Sequence, residues 1–165
     1  MALFSEKGGA TILEPLPFVD WQRRPAWPAV SLANTDPVED LAPHVGRLRL
    51  VALEFPKFSD GRAYSQARLL RGRLGYTGEL RATGGVLQDQ LPFMLRCGFD
   101  SFESDQKGFG EALARARTLF SVVYQPAEDD RTPASLLRLR QQSDPQSTRA
   151  WQDAIRTGPR ALPSG

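Results

Sequence analysis

Cysteine and histidine are almost missing: the 165 residues hold one of each, Cys97 and His44. A single cysteine excludes a disulfide framework within the chain, and with it any iron–sulfur cluster or Cys-rich zinc site assembled from this chain alone. A single histidine excludes a multi-histidine metal centre or a bis-histidine haem. Long apolar runs are scarce too. The longest is Leu50–Leu53, against the roughly 20 residues a membrane helix requires. The N-terminus carries Glu6, Lys7 and a Gly pair where a secretory leader carries apolar residues. A cytoplasmic protein without membrane contact is therefore expected, and no cofactor is evident. Charge of one sign is also lacking. Lys and Arg number 21 against 19 Asp and Glu, a formal net of +2, too even for a nucleic-acid-binding face.

What is present fits one globular domain with loose chain attached: 41% hydrophobic residues, 14 Gly and 13 Pro. The basic residues are unevenly spread. Between Lys57 and Arg96 lie Lys57, Arg62, Arg68, Arg71, Arg73, Arg81 and Arg96 against Asp60, Glu79 and Asp89, a local net of +4. Two readings stand. A GC-rich genome favours Arg over Lys on any surface, or these guanidinium forks face an oxyanion or an acidic partner.

Hydrophobic patterning divides the chain into an irregular segment at 1–27, an α/β domain at 28–125 and a mostly disordered tail at 126–165. Within 1–27 only Thr11–Leu13 reads as a short edge strand. Ala29–Ala33, Leu48–Phe55, Glu79–Thr83 and Phe99–Glu103 read as strands. The apolar run at 50–53 suits a central strand buried on both faces. Between them, helices are expected from about 34–37 to Val45, from Ser59 or Asp60 to Gly75, over Gln88–Cys97 and over Gln106–Val123. In the second, Ala63, Ala67, Leu70 and Leu74 make one apolar stripe. Gly98 reads as a left-handed cap. Four βα units imply a small parallel sheet with right-handed crossovers, either open or a half-barrel that needs a partner face; a homodimer is a live option. In the tail, Ser135–Gln142 and Thr148–Arg156 read as short helices, and Leu136, Leu137, Leu139, Trp151 and Ile155 are candidates for docking.

Ligands in parallel α/β sheets sit beyond the carboxyl ends of the strands. There the segment Pro56–Arg62 opens directly into a helix, so Lys57, Asp60, Gly61 and Arg62 form a candidate oxyanion cradle. The same residues also suit a purely structural role, with Asp60 as cap, Gly61 permitting close approach and Arg62 paired to an acid. Tyr64, Arg68 and Arg71 border the apolar stripe, where they either line a pocket or partner surface or snorkel over apolar surface. Arg81, inside a strand, needs a carboxylate partner; Glu54 and Glu79 are the candidates. Asp89 and Gln90 stand at a helix start, Arg96 at a helix end. Gly84-Gly85 is too short for a phosphate loop or dinucleotide fingerprint. Cys97 reads as a packed thiol and His44 as a surface or cap residue. No nucleophile–base pair assembles from these parts.

The stretch ALEFPKFSDGRAYSQARLLRGRLGYTGELRATGGVLQDQLPFMLRCGFDSFE, residues 52–103, resembles an uncharacterised bacterial domain family. Its members are commonly labelled as an oxidoreductase involved in sulfite reduction and are encoded beside the sulfite/nitrite reductase haemoprotein. The similarity is fainter over 28–51 and 104–125 and does not reach the tail. Gly85 stands where the family pattern leads one to expect Asp. The resemblance implies a place in sulfite reduction and brings no established catalytic residues with it.

Sulfite reduction moves six electrons, through sirohaem and iron–sulfur centres for which this chain has no ligands. The expectation is thus an accessory protein that grips the reductase haemoprotein, or an anionic sulfur intermediate, through the Arg-rich edge. The alternatives are a small oxyanion-binding enzyme with Asp60 as acid/base, and a flavin-dependent electron carrier.

Overall fold

The structure, a computed structural model, describes residues 2–5, 10, 12–120, 122–128 and 131–142. These residues fall into two compact units, one holding those up to 120 together with 127–128, the other holding 122–126 and 131–142.

The first unit is built on a six-stranded sheet. Its strands are β1 (Ala2–Ser5), β2 (Leu16–Pro17), β3 (Ala29–Leu32), β4 (Leu50–Phe55), β5 (Glu79–Gly84) and β6 (Ser101–Ser104). They lie in the order β1-β6-β5-β4-β3-β2. All neighbouring pairs run parallel except β1, which returns antiparallel along β6. The chain is therefore α/β as expected, but with six strands in place of four. The extra two come from the 1–27 segment, which also supplies the helix α1 (Phe18–Arg23) and is not irregular throughout. Ile12 and Leu13, read as an edge strand, have no strand conformation.

From β2 to β6 each strand is laid beside its predecessor in one direction. Right-handed crossovers that always advance the same way place their helices on one face, and the packing follows. Val30, Leu32, Val51, Leu53, Phe55, Leu80, Ala82 and Phe102 form a single core with Phe18 and Trp21 of α1, and with Val38 and Leu41 of a 3₁₀ helix at Val38–His44. The same core takes in the apolar sides of α2 (Arg62–Arg68), α3 (Leu91–Arg96) and α4 (Phe109–Thr118). The alternate strand residues, including Ala29, Leu50, Ala52, Arg81 and Ser101, face the other way. β4 is central, and all four residues of its apolar run are fully buried, as its composition required.

Local chemistry explains the boundaries. The 3₁₀ helix replaces a regular helix where Pro37 precedes it and Pro43 sits inside it. α2 does not end cleanly: residues Leu69–Arg73 continue it as a wider π turn, closed by the Leu74 N–H on the Leu69 carbonyl. α3 carries Pro92 in its first turn, where no backbone donor is missed. Gly98 follows at φ +91°, and a Cβ there would stand 2.6 Å from Arg71 Cγ, so glycine is required twice over. α4 begins only after Gly108, at φ +77°, and is shorter than the Gln106–Val123 expected.

The second unit contains α5 (Ala134–Gln142), close to the helix expected at Ser135–Gln142. Val123 and Pro133 form a parallel bridge, and the Ala134 N–H donates to the Val123 carbonyl at 2.7 Å. Leu136 on α5 is exposed. The expected helix at 148–156, with Trp151 and Ile155, lies outside the described residues.

Candidate functional site: the carboxyl edge of the sheet

Four loops leave the carboxyl ends of β3 to β6, and each is tied to its neighbour. Between the first and second, Asn34 Nδ2 donates to Asp60 Oδ2 at 2.6 Å, and Gln66 Nε2 donates to the Ala33 and Asp36 carbonyls at 2.9 and 3.0 Å. Between the second and third, Gln90 Nε2 donates to the Phe58 carbonyl at 3.1 Å and the Gly85 N–H to the Phe55 carbonyl at 2.7 Å. Gly84, at φ +83°, lies so close to Phe55 that a Cβ would meet its carbonyl oxygen at 2.5 Å. Between the third and fourth, Gln88 donates to the Lys107 carbonyl and Gln106 to the Val86 carbonyl, both at 2.9 Å. Five carboxamide side chains thus stitch the edge together. Of these the sequence reading singled out only Gln90. One signal did exist for Gln66: it lies on the apolar stripe of α2, three residues after Ala63, and such a polar residue needs partners inside.

Asp60 occupies the centre of the second loop. Its carboxylate accepts from Arg62 Nε at 3.0 Å, Arg62 Nη2 at 2.7 Å, the Arg62 backbone N–H at 3.2 Å and Asn34. The Arg62 side chain, then its backbone N–H, holds the carboxyl down at about 2. Such a group stays ionised at neutral pH and is too weak a base for efficient proton transfer, which argues against Asp60 as an acid/base catalyst. Gly61 serves no close approach, since a Cβ there would meet nothing within 4 Å.

Tyr64 packs its ring against Phe55, Phe93 and Phe99, with centroids 5.1, 4.9 and 6.5 Å away. Burial, and secondarily the neighbouring Cys97, pushes its phenol up to about 12. Its hydroxyl is buried without a hydrogen-bond partner, as are Oε1 of Gln66 and Oε1 of Gln90. Cys97 is buried. His44 stands at the end of the 3₁₀ helix, its ring edge-on to Trp21 and its Nδ1 accepting from Arg47 at 2.8 Å.

The basic residues between 57 and 96 do not converge. Arg71 turns away from this edge toward the start of β5. Its Nε donates to the Gly98 carbonyl at 3.0 Å, its Nη1 to the Tyr76 and Gly78 carbonyls at 2.6 and 2.9 Å, and its Nη2 pairs with Asp100. Arg81, only 4% exposed, lies on the face opposite the helices. There it pairs with Glu79 at 2.8 Å and Glu103 at 3.3 Å, while Ser101 donates to Glu79 at 2.6 Å. Glu79 was one of its two expected partners; Glu103 replaces Glu54. Arg68 is exposed on α2, Arg96 half-buried at the end of α3, Asp89 exposed in a 3₁₀ turn at Gln88–Gln90 and Lys57 exposed in its loop. Lys57, Asp60, Arg62, Asp89 and Gln90 do share the carboxyl edge; Arg71 and Arg81 do not reach it.

Two aromatic side chains absent from the sequence reading stand out there. Phe58 and Phe93 are 57% and 54% exposed, and Gln90, which holds the Phe58 carbonyl, lies one turn before Phe93. Residues 29–135 match the family described as bacterial protein of unknown function, DUF934. The chain belongs to that family. No curated protein and no solved structure gives a match. The DUF934 match begins with β3 and runs into α5, so it includes all four loops of the stitched edge and leaves out β1, β2 and α1. Among the described residues, no group of three His, Cys, Asp or Glu side chains is placed to hold a metal ion.

Proposed function

We propose that the protein is an accessory factor of assimilatory sulfite reduction that docks on the reductase haemoprotein through the stitched carboxyl edge. The observation that carries this reading is the pair Phe58 and Phe93. Both rings are more than half exposed, Phe58 on a loop and Phe93 in the first turn of α3, and Gln90 just before α3 holds the Phe58 carbonyl. Exposed rings on a fixed platform are the anchors from which protein interfaces draw most of their energy, because ordering them costs little entropy. Lys57 is adjacent to Phe58, and Arg68 stands one turn beyond Tyr64, whose ring touches Phe93. Against these two cations the loop before α3 exposes one carboxylate, Asp89, so the rim suits a partner that is acidic on balance around an apolar pocket. The link to sulfite rests on the resemblance of residues 52–103. The single Cys and single His leave the electron-carrying centres to the partner.

The test is a pull-down with the purified haemoprotein, together with sulfite reduction measured with and without this chain. Retention of the complex and a changed rate are expected, both lost in the Phe58→Ser/Phe93→Ser double variant while its thermal melt is preserved. No complex and no rate change overturns the reading. A visible spectrum of the purified chain separates it from the flavin carrier, which would be yellow.

A further inference from the structure

Asp60–Gly61 is the one Asp–Gly pair in the chain. Glycine has no Cβ to shield its amide nitrogen, so in such a pair that nitrogen can attack the aspartyl Cγ and close a succinimide ring. The fold does not ask for glycine here. Gly61 has φ −82° and ψ −1°, open to any residue, and a Cβ would meet nothing within 4 Å.

What the fold does supply is restraint on the carboxylate. Ring closure expels one carboxyl oxygen as water, so it runs through the protonated acid and needs a carboxyl group free to turn toward the nitrogen. Both Asp60 oxygens are engaged. Oδ1 accepts from the Arg62 N–H and Nε at 3.2 and 3.0 Å, and Oδ2 from Arg62 Nη2 and Asn34 Nδ2 at 2.7 and 2.6 Å. These donors favour the ionised form and fix the plane of the group. The lowering of this carboxyl from 3.8 to about 2 acts in the same direction.

We propose that Asp60–Gly61 is a latent isomerisation site, held in its native aspartyl form by the donors of Arg62 and Asn34. The reaction balances with water alone. The Gly61 nitrogen bonds to Cγ, and one carboxyl oxygen leaves as water with its own proton and that of the nitrogen. Water then opens the ring at the former main-chain carbonyl, leaving Gly61 joined through the side chain as isoaspartate. The product lengthens the backbone by one carbon two residues after Phe58 and takes the carboxylate off the Arg62 fork. The inference is independent of any partner.

The test incubates the full chain at 37 °C and pH 7.4 for several weeks. Trypsin, cutting after Lys57 and Arg62, releases residues 58–62 as one peptide, in which isoaspartate shifts the retention time at unchanged mass. Folded wild type is expected to convert at least tenfold more slowly than the same chain in guanidinium chloride. Arg62→Ala, read on residues 58–68, is expected to convert at least fivefold faster than wild type while keeping native circular dichroism. Adding Gly61→Ala to it is expected to bring the rate back to that of wild type or below, because the new Cβ hinders ring closure. Folded wild type converting as fast as the denatured chain, or Arg62→Ala converting at the wild-type rate, overturns the proposal. The comparison of folded with denatured wild type needs no variant, so the result stands even if Arg62→Ala fails to fold.

Discussion

Two arginine–carboxylate pairs, nine residues apart at their arginines, do opposite work. Arg62–Asp60 spans two positions in the chain, and the Arg62 side chain is 59% exposed. Arg71–Asp100 spans 29 positions and is mostly shielded from water, and the same guanidinium gathers three carbonyls from the turns at 76–78 and 98. The first shapes a loop locally, while the second fastens the end of α2 to the starts of β5 and β6. A local surplus of arginine is therefore not a patch: each guanidinium acts according to the carbonyls and carboxylates its backbone delivers to it.

The strongest way to break the comparison is Arg71→Leu. It strands the Asp100 carboxylate and three carbonyls in a water-poor site, and a loss of about 3–5 kcal/mol in urea unfolding is expected. Gly98→Ala acts on the same fastening from the other side. A Cβ at φ +91° that also meets Arg71 Cγ is expected to cost about 1–3 kcal/mol, seen as a lowered Tm with native circular dichroism. Asp60→Asn carries the smallest effect, a slightly lowered unfolding midpoint at pH 7 that converges on wild type in acid, because the pair is largely exposed. Its signature lies in acid. Because the Asp60 carboxyl is lowered from 3.8 to about 2, its contribution is complete above pH 4 and is lost as pH falls from there toward 2. The Asn variant should lack that part of the acid destabilisation, and identical acid profiles would show that the pairing does not matter.

Much of the central sheet was legible because its signals are local. The apolar run of β4, the Gly98 cap, Glu79 beside Arg81 and the alternating strand–helix rhythm all lie within one or two turns of chain. What stayed hidden depends on contacts across long separations. β1 is four unremarkable residues until β6, nearly one hundred positions later, supplies its hydrogen bonds. β2 is two residues beside prolines. The border position of Arg71 on α2 was readable, but its target was not, because the π turn re-aims the side chain and the carbonyls it meets lie up to 27 residues away. At the candidate site the pairing of Asp60 with Arg62 was readable from adjacency. The carboxamide ties, and with them the exposed Phe58 and Phe93, were not, since Asn and Gln in loops look alike whether they bridge or merely dissolve.

Four of the five carboxamides donate to neutral backbone carbonyls, and only that of Asn34 ends on a carboxylate. Added salt screens the attraction of Lys57 and Arg68 for an acidic surface yet leaves an uncharged N–H···O bond almost untouched. Ionic strength can thus release whatever rests on this rim while its shape persists, so rebinding on dilution needs no refolding of the loops.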